Sequence, residues 1–358
     1  MATQEMHSQC VGYSLPVPNV QALATSINKS SLVPERYVRP EAKVEPVAST
    51  DDIELPIIDM AKLIDQEFSN EEASKLHLAC QEWGFFQLVN HGVPEDLMEG
   101  LKVDITEFFS KPLEEKMAYK QDNDGTIQGY GQVFVLSEEQ KLDWCDMLYI
   151  MTRPVALRNM KYWPTSPPTF RDNIDRFSLE LTKLASCLWN YIAKNVGVAP
   201  EVFAQLFKDH PQVIRFNYYP PCLEPDKVVG HSPHSDATGI SFVLHVNDVQ
   251  GLQIRKDGEW INIKALPNAF VVNLGDITEI LSNGIYKSVE HRVMTNTENA
   301  RISLASFQSP DNSIMLRPLP EVIGDGKPNY GSISYQEFMK AFFDKQLDGK
   351  SVVDTLKL

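Results

Sequence analysis

Apolar and polar positions follow two different periods along this chain, and the change of period divides it. ELPIIDM (54–60) is a short Ile-rich run of strand type. SNEEASKLHLACQEWG follows as a helix, with Ser69 or Asn70 able to cap its start, acids in its first turn and Gly84 after its end. FFQLVNHG (85–92) reads as a buried strand closing on a turn. Leu97, Leu101, Ile105 and Phe108 then recur at helical spacing. DNDGTIQGYGQVF carries glycines and reads as loop, and LDWCDMLYIMTRP as a strand. FRDNIDRFSLELTKLASCLWNYIAKNVG is the longest helical pattern, stopped by Gly197.

From about residue 211 the period shortens. VIRFNYY, ISFVLHV, GLQIRK, EWINIK, AFVVNLG, KSVEHRVM and RISLASF are strand-like runs separated by Pro, Gly, Asn and Asp. Seven short strands at close spacing indicate an all-β sandwich or barrel. SISYQEFMKAFFDKQLDG is amphipathic and helical, with Tyr335, Phe338, Met339 and Phe342 on one side. Residues 1–50 form a polar, proline-punctuated lead, with one short helix before the loop SSLVPERYVRPEAK. The expected division is a lead (1–50), a helix-rich region (51–205), a β core (206–315) and a helical cap (316–358), an α+β chain.

Composition narrows the function classes. The 358 residues are 43% hydrophobic and 23% charged, an ordinary globular balance. The net charge of −15, with no Lys/Arg block, argues against a nucleic-acid partner. The cysteines are Cys10, Cys80, Cys145, Cys187 and Cys222, scattered and without a CxxC pair, which fits a reducing compartment. No run reaches the roughly 18 apolar residues of a membrane span. The N-terminus lacks signal-peptide character, and its first thirty residues hold no Arg. The expectation is a monomeric cytoplasmic protein with a small-molecule partner.

Two histidines have an informative neighbourhood, His234 in GHSPHSD and His291 in SVEHRVM. His234 and Asp236 are two apart, so on an extended strand they share a face. A neighbouring strand can deliver His291. Two imidazoles and one carboxylate leave positions open on an octahedral ion, the ligand set of non-haem Fe(II) oxygenases. A structural zinc would want four closed ligands, and the nearest thiol, Cys222, lies in a turn. His-x-Asp alone is weak, since a strand histidine is more often a hydrogen-bonded core residue. Two further patterns add weight. Arg301, Ser303 and Phe307 share one strand face, and Arg215, Asn217 and Tyr219 share another. A guanidinium buried beside a metal wants a carboxylate. The bland alternative for each is a surface salt bridge or a satisfied polar pair.

From about residue 52 the chain resembles the plant 2-oxoglutarate- and Fe(II)-dependent dioxygenases. The resemblance is carried by LPIIDM, CQEWGFFQLVNHG, FFSKPLEEK, GYGQ, NYYPPC, HSD, LPNAFVVNLGDITEILSNGIYKSVEHR and RISLASF. KQLDGKSVVDTLKL and NYYPPCLEPDKVVG most resemble the branch of alkaloid O-demethylases and norcoclaurine-synthase-like oxygenases. The resemblance implies a double-stranded β-helix (jelly roll) core with flanking N-terminal helices and a C-terminal helix. It implies Fe(II) on His234, Asp236 and His291. It also implies 2-oxoglutarate on Arg301 and Ser303, with Tyr219 as a third donor and Asn217 shaping the same wall. O2 would be the oxidant and ascorbate a reductant. The implied chemistry couples decarboxylation of the keto acid, giving succinate and CO2, to hydroxylation or O-demethylation of an aromatic or alkaloid-like metabolite. Phe307, Gln132, Phe134, Met147, Tyr149 and Arg215 would line the substrate pocket.

Other readings are a flavonoid or hormone oxidase of the same family, a non-catalytic jelly-roll binding protein and a zinc hydrolase. The last fails to explain Arg301 and Ser303. Two residues depart from the family pattern. His231 stands where an apolar residue is usual and is expected to be a solvated turn residue, with substrate contact as the alternative. His245 stands where Gln is more common.

Overall fold

A computed structural model describes residues 14–27, 33–39, 54–122, 127–208, 211–345, 349–350 and 352–358. Strict alternation on the long strands builds two sheets with different contents on their two faces. In chain order the strands are β1 (Ile57–Asp59), β2 (Phe85–Val89), β3 (Gly129–Gly131), β4 (Asp146–Arg153), β5 (Gln212–Tyr219) and β6 (His231–His234). They continue as β7 (Ile240–His245), β8 (Leu252–Lys256), β9 (Glu259–Asn262), β10 (Phe270–Leu274), β11 (His291–Val293) and β12 (Arg301–Gln308). The larger sheet runs β1-β2-β10-β7-β12-β5-β4-β3 and the smaller β6-β11-β8-β9. Every pair in them is antiparallel except β1–β2. Phe85, Tyr219 and Val271 of the larger sheet pack with Leu252, Ile254, Ile261 and Val293 of the smaller, so the sheets close on each other as a jelly roll.

The outer face of the larger sheet is apolar. Leu148 and Ile150, Ile214 and Phe216, Phe242 and Leu244, Val272, and Ile302 and Leu304 bury there. The helix Phe170–Asn195 covers them with Ile174, Phe177, Leu181, Leu184, Leu188 and Ile192, a stripe at spacings of three and four. Each such side chain stabilises the layer by about 1.5–3 kcal/mol. Gly197, at φ +77°, follows the end of that helix. The helix Glu95–Ser110 adds Leu97, Leu101, Ile105 and Phe108 to the same core. With this layer filled by aliphatic and aromatic groups, the alternate positions are left free to carry polar chemistry inside the roll.

Four local expectations change. GYG is a strand, not a loop, because Gly129–Gly131 pairs with Met147–Tyr149. Ser69 is the first residue of its helix rather than its cap; Asp65 Oδ1 takes the Glu67 and Phe68 amides just upstream instead. The larger sheet draws strands from both 51–205 and 206–315, so hydrogen bonding crosses that boundary. The lead is also less loose than its composition indicates. Val20, Ala24, Val33 and Tyr37 are buried around Trp144, and the Val20 and Gln21 amides donate to Asp146 at 2.9 and 2.8 Å. The C-terminal helix Tyr335–Phe343 forms as expected, started by a capping box between Ser334 and Glu337. Among the described residues no helix is long and apolar enough to cross a membrane.

Candidate metal centre and the barrel interior

His234 and His291 are directly opposed on β6 and β11. The Nδ1 atom of His234 lies 2.8 Å from the Ser232 carbonyl, and that of His291 lies 3.1 Å from the Val289 carbonyl. A carbonyl only accepts, so both Nδ1 atoms carry a proton, and Nε2 is on each ring the atom available to a metal. Asp236 Oδ1 lies 3.6 Å from His234 Nε2 and 3.7 Å from His291 Nε2. Asp236 does not sit on the strand with His234, as its spacing suggests, because β6 ends at His234. Its carboxylate is held from the larger sheet, where Ser241 Oγ and Asn273 Nδ2 donate to Oδ2 at 2.6 and 2.7 Å. Its carbonyl accepts from the Asp276 amide at 2.8 Å. A Cβ on Gly275 would stand 2.7 Å from that carbonyl and 2.1 Å from Thr238 O, so the approach requires glycine.

Burial alone would raise the Asp236 carboxyl, but His291, His234 and Asn273 outweigh it and hold the group well below the usual range. Burial, then the neighbouring His234, lowers His291 to about 4. An ionised carboxylate and a neutral imidazole are the forms a metal binds. These three are the group of metal-ligating side chains found among the described residues, and all are buried. Two nitrogens, one oxygen and fixed outer partners fit a divalent iron with open positions.

The polar face of the larger sheet leads away from this centre. Opposed residues on adjacent strands share a face, so the register defines rows. Phe307 opposes Ser241 and Val213; Ala305 opposes Arg215, which opposes Tyr149. Ser303 opposes His245 and Asn217, which opposes Met147, and Arg301 opposes Tyr219. Arg301 is 1% exposed. Its Nη1 donates to Ser303 Oγ at 3.1 Å, and its guanidinium carbon lies 5.3 Å from the Tyr219 ring centroid. Asn217 Nδ2 donates to the same Ser303 oxygen at 3.4 Å. Arg301 Nε, Asn217 Oδ1 and His245 Nε2 are buried without a partner. Burial, then the charge of Arg301, lowers His245 to about 3, so the imidazole is neutral. The orphaned Arg301 Nε, a buried charged donor, is what a carboxylate would satisfy, and His245 Nε2 could join it as a donor in its Nε2–H tautomer.

Met147, Tyr149 and Phe307 reach the barrel face. Gln132 is buried with its Nε2 unpartnered. Phe134 is not on that face. It stacks at 5.3 Å on Phe343 and meets Phe342 edge-on at 5.5 Å, joining its loop to the C-terminal helix. A shallow cleft there is lined by Gln132, Phe134, Gln140, Leu142, Asp143 and Ser232. His231 is a correction. It is 7% exposed, not a solvated turn residue. It lies between Asp143 Oδ2 and Arg215 Nη1, with its ring centroid 4.3 Å from that of His234. Asp143 had no motif to mark it. Burial raises its carboxyl, but His231, Ser232 and Arg39 prevail and lower it to about 2.

Comparisons with known proteins agree along the chain. Residues 55–166 match the model of the non-haem dioxygenase in morphine synthesis N-terminal region, and residues 210–310 that of the 2OG-Fe(II) oxygenase superfamily. The chain is 52% identical to 2-oxoglutarate-dependent dioxygenase 11 of Oryza sativa subsp. japonica, across 96% of this chain and 97% of that one. It is 45% identical to S-norcoclaurine synthase 1 of Coptis japonica, across 97% and 98%. A crystal structure of JOX2 in complex with 2OG, Fe and JA superposes with a TM-score of 0.86 at 36% identity, across 97% of this chain and 99% of that one.

Proposed function

The chain belongs to the 2OG-Fe(II) oxygenase superfamily and is a 2-oxoglutarate-dependent dioxygenase, and from that premise we propose that it hydroxylates or O-demethylates a ring-bearing plant specialised metabolite. We assign Fe(II) to His234, Asp236 and His291. Arg301 and Ser303 take the far carboxylate of 2-oxoglutarate, with Tyr219 as a donor and Asn217 and His245 as walls. The iron, when bound, supplies the oxidising chemistry with O2 that the side chains lack. The protein's own part is positioning. Asn273 and Ser241 fix the Asp236 carboxylate, and the two backbone carbonyls orient the imidazoles.

The observation that carries the 2-oxoglutarate assignment is Arg301, a buried guanidinium with an orphaned Nε and no acid paired to it among the described residues. The balance is one O2, one 2-oxoglutarate and one C–H of the substrate giving succinate, CO2 and an alcohol. On an O-methyl carbon that alcohol is a hemiacetal, which loses formaldehyde and leaves a hydroxyl. Met147, Tyr149 and Phe307 support a ring-bearing substrate, because thioether and aromatic surfaces favour flat apolar ones. Similarity to S-norcoclaurine synthase 1 supports an alkaloid-like scaffold. We further propose a monomeric cytoplasmic enzyme in which 206–315 carries the chemistry, 51–205 buttresses it and 316–358 caps it. The test is succinate release from 2-oxoglutarate with a panel of aromatic and alkaloid metabolites. Stimulation with a matching hydroxylated or demethylated product supports the reading, and products from aliphatic compounds alone would refute it.

A further inference from the structure

His234 lies on the edge strand of the smaller sheet. β6 is four residues long and pairs within that sheet with β11 alone. An edge strand presents backbone donors and acceptors that another stretch of chain can pair. Here the C-terminal segment does so. Gly349 forms a parallel bridge with His234. Its amide donates to the Pro233 carbonyl at 3.0 Å, and its carbonyl accepts from the Ser235 amide at 3.3 Å. These two bonds bracket the ligand on its own strand. Gly349 has φ +56°, and a Cβ there would stand 3.3 Å from Oε1 of Glu290, the residue before His291. Both the backbone angle and the close approach favour glycine.

The next residue reaches the second ligand. Lys350 Nζ donates to the Ser288 carbonyl and to Glu279 Oε2, each at 2.5 Å. Ser288 is three residues before His291. Glu279 Oε2 also accepts from the Ser288 amide at 2.7 Å, and Oε1 accepts from the Tyr330 hydroxyl at 2.8 Å. Glu279 belongs to the buried helix Asp276–Leu281, whose first amide donates to the Asp236 carbonyl. The Lys350 and Glu279 side chains are 19% and 6% exposed. Removing one partner of such a pair leaves the other charge buried and uncompensated. Farther along, Val352 and Val353 are buried in the main core, and the Leu356 carbonyl accepts from the Gly331 amide at 2.7 Å. The segment is therefore anchored on both sides of its contact with the centre.

We infer that Lys350 is a positioning residue for the metal centre. With Gly349, it ties the His234 strand and the chain entering His291 to the helix that holds Asp236. It supplies no ligand atom and acts through the backbone that carries the ligands. This inference rests on the reading of His234, Asp236 and His291 as the iron site.

The test titrates the whole metal-free protein with Co(II), whose visible absorption bands report coordination geometry. Lys350→Met removes the ammonium and keeps most of the stem. It should weaken Co(II) by about tenfold, the lower end of the loss on removing an outer partner, and change the bands. Lys350→Arg, which keeps the charge and donors, should recover part of the affinity. Gly349→Ala, strained at its φ and crowded by Glu290, should weaken Co(II) with Lys350 intact. Urea midpoints with and without Co(II) separate positioning from plain stability. A merely structural role lowers both midpoints and leaves the gain from Co(II) unchanged, whereas positioning shrinks that gain. Unchanged Co(II) affinity and bands in Lys350→Met, an unchanged gain, or an arginine variant no better than methionine overturns the inference. Should Lys350→Met fail to fold, Gly349→Ala decides, and unchanged affinity there overturns it. Failure of the parent reading shows separately, as Co(II) bands that are absent from the unsubstituted protein or that survive His234→Ala.

Discussion

Two buried arginines stand on neighbouring strands of one sheet, and they are supported in opposite ways. Arg301 is held by Ser303, two residues along its own strand, and by Tyr219, its partner in register. Arg215 is held by His231 on the other sheet, and His231 by Asp143, 88 residues away in the chain. The first arrangement is strand-local and leaves Arg301 Nε buried without a partner. The second reaches between the sheets and past His234, and it shares no residue with the first. This is the division expected of an enzyme whose oxidising machinery is constant and whose substrate is not.

That comparison can be broken at several points. Removing the proposed metal site is expected to have the largest effect, since the oxidising chemistry depends on it. Asp236→Ala should lower 2-oxoglutarate turnover by more than the roughly 10–100-fold typical of losing an outer partner, with the fold retained by circular dichroism. Retained succinate production would remove the triad from the account. Arg301→Ala should weaken 2-oxoglutarate by about 1.5–3 kcal/mol for each bond lost, or roughly 10- to 150-fold. A titration of the co-substrate reads this directly, and an unchanged affinity would move the clamp elsewhere. Asn273→Ala frees Asp236 Oδ2 from one donor. It should cost about 10-fold or more in Fe(II) affinity while leaving Arg301 untouched. Equal metal binding would make that hydrogen bond incidental.

The smallest effect is on stability and belongs to the Arg215 side. Asp143 is lowered in the fold from 3.8 to about 2. A depressed carboxyl contributes stability above its unfolded value, and loses it as pH falls through the folded one. Asp143→Asn should therefore cost about 2 kcal/mol near neutrality. Denaturant midpoints of the two proteins should converge between about pH 4 and pH 2. A difference that stays constant down to pH 2 would show that the Asp143 charge does not support the network.

The same contrast explains what could be read from the chain. Alternation along β5 and β12 revealed the shared face of Arg215, Asn217 and Tyr219, and that of Arg301, Ser303 and Phe307, because strand geometry is local. The apolar stripe of Phe170–Asn195 was legible for the same reason. Asp236 was brought beside the two histidines by a strand face it does not occupy, since the turn after His234 delivers it. His231 was misplaced, and Asp143 escaped notice. Their meeting depends on how two sheets close, and neither carries a periodic signal. The burial of Val20, Ala24 and Tyr37 in a lead of polar composition is a tertiary effect of the same kind.

One buried triad, and one arginine with no acid paired to it among the described residues, are assigned here to iron and 2-oxoglutarate. Anaerobic titration of the metal-free protein with Fe(II) and 2-oxoglutarate tests that assignment most directly, by the visible charge-transfer band of the chelate. The account predicts a band that needs both components, disappears in Asp236→Ala and requires much more 2-oxoglutarate in Arg301→Ala. A folded protein that gives no band, or a band indifferent to both substitutions, would contradict it.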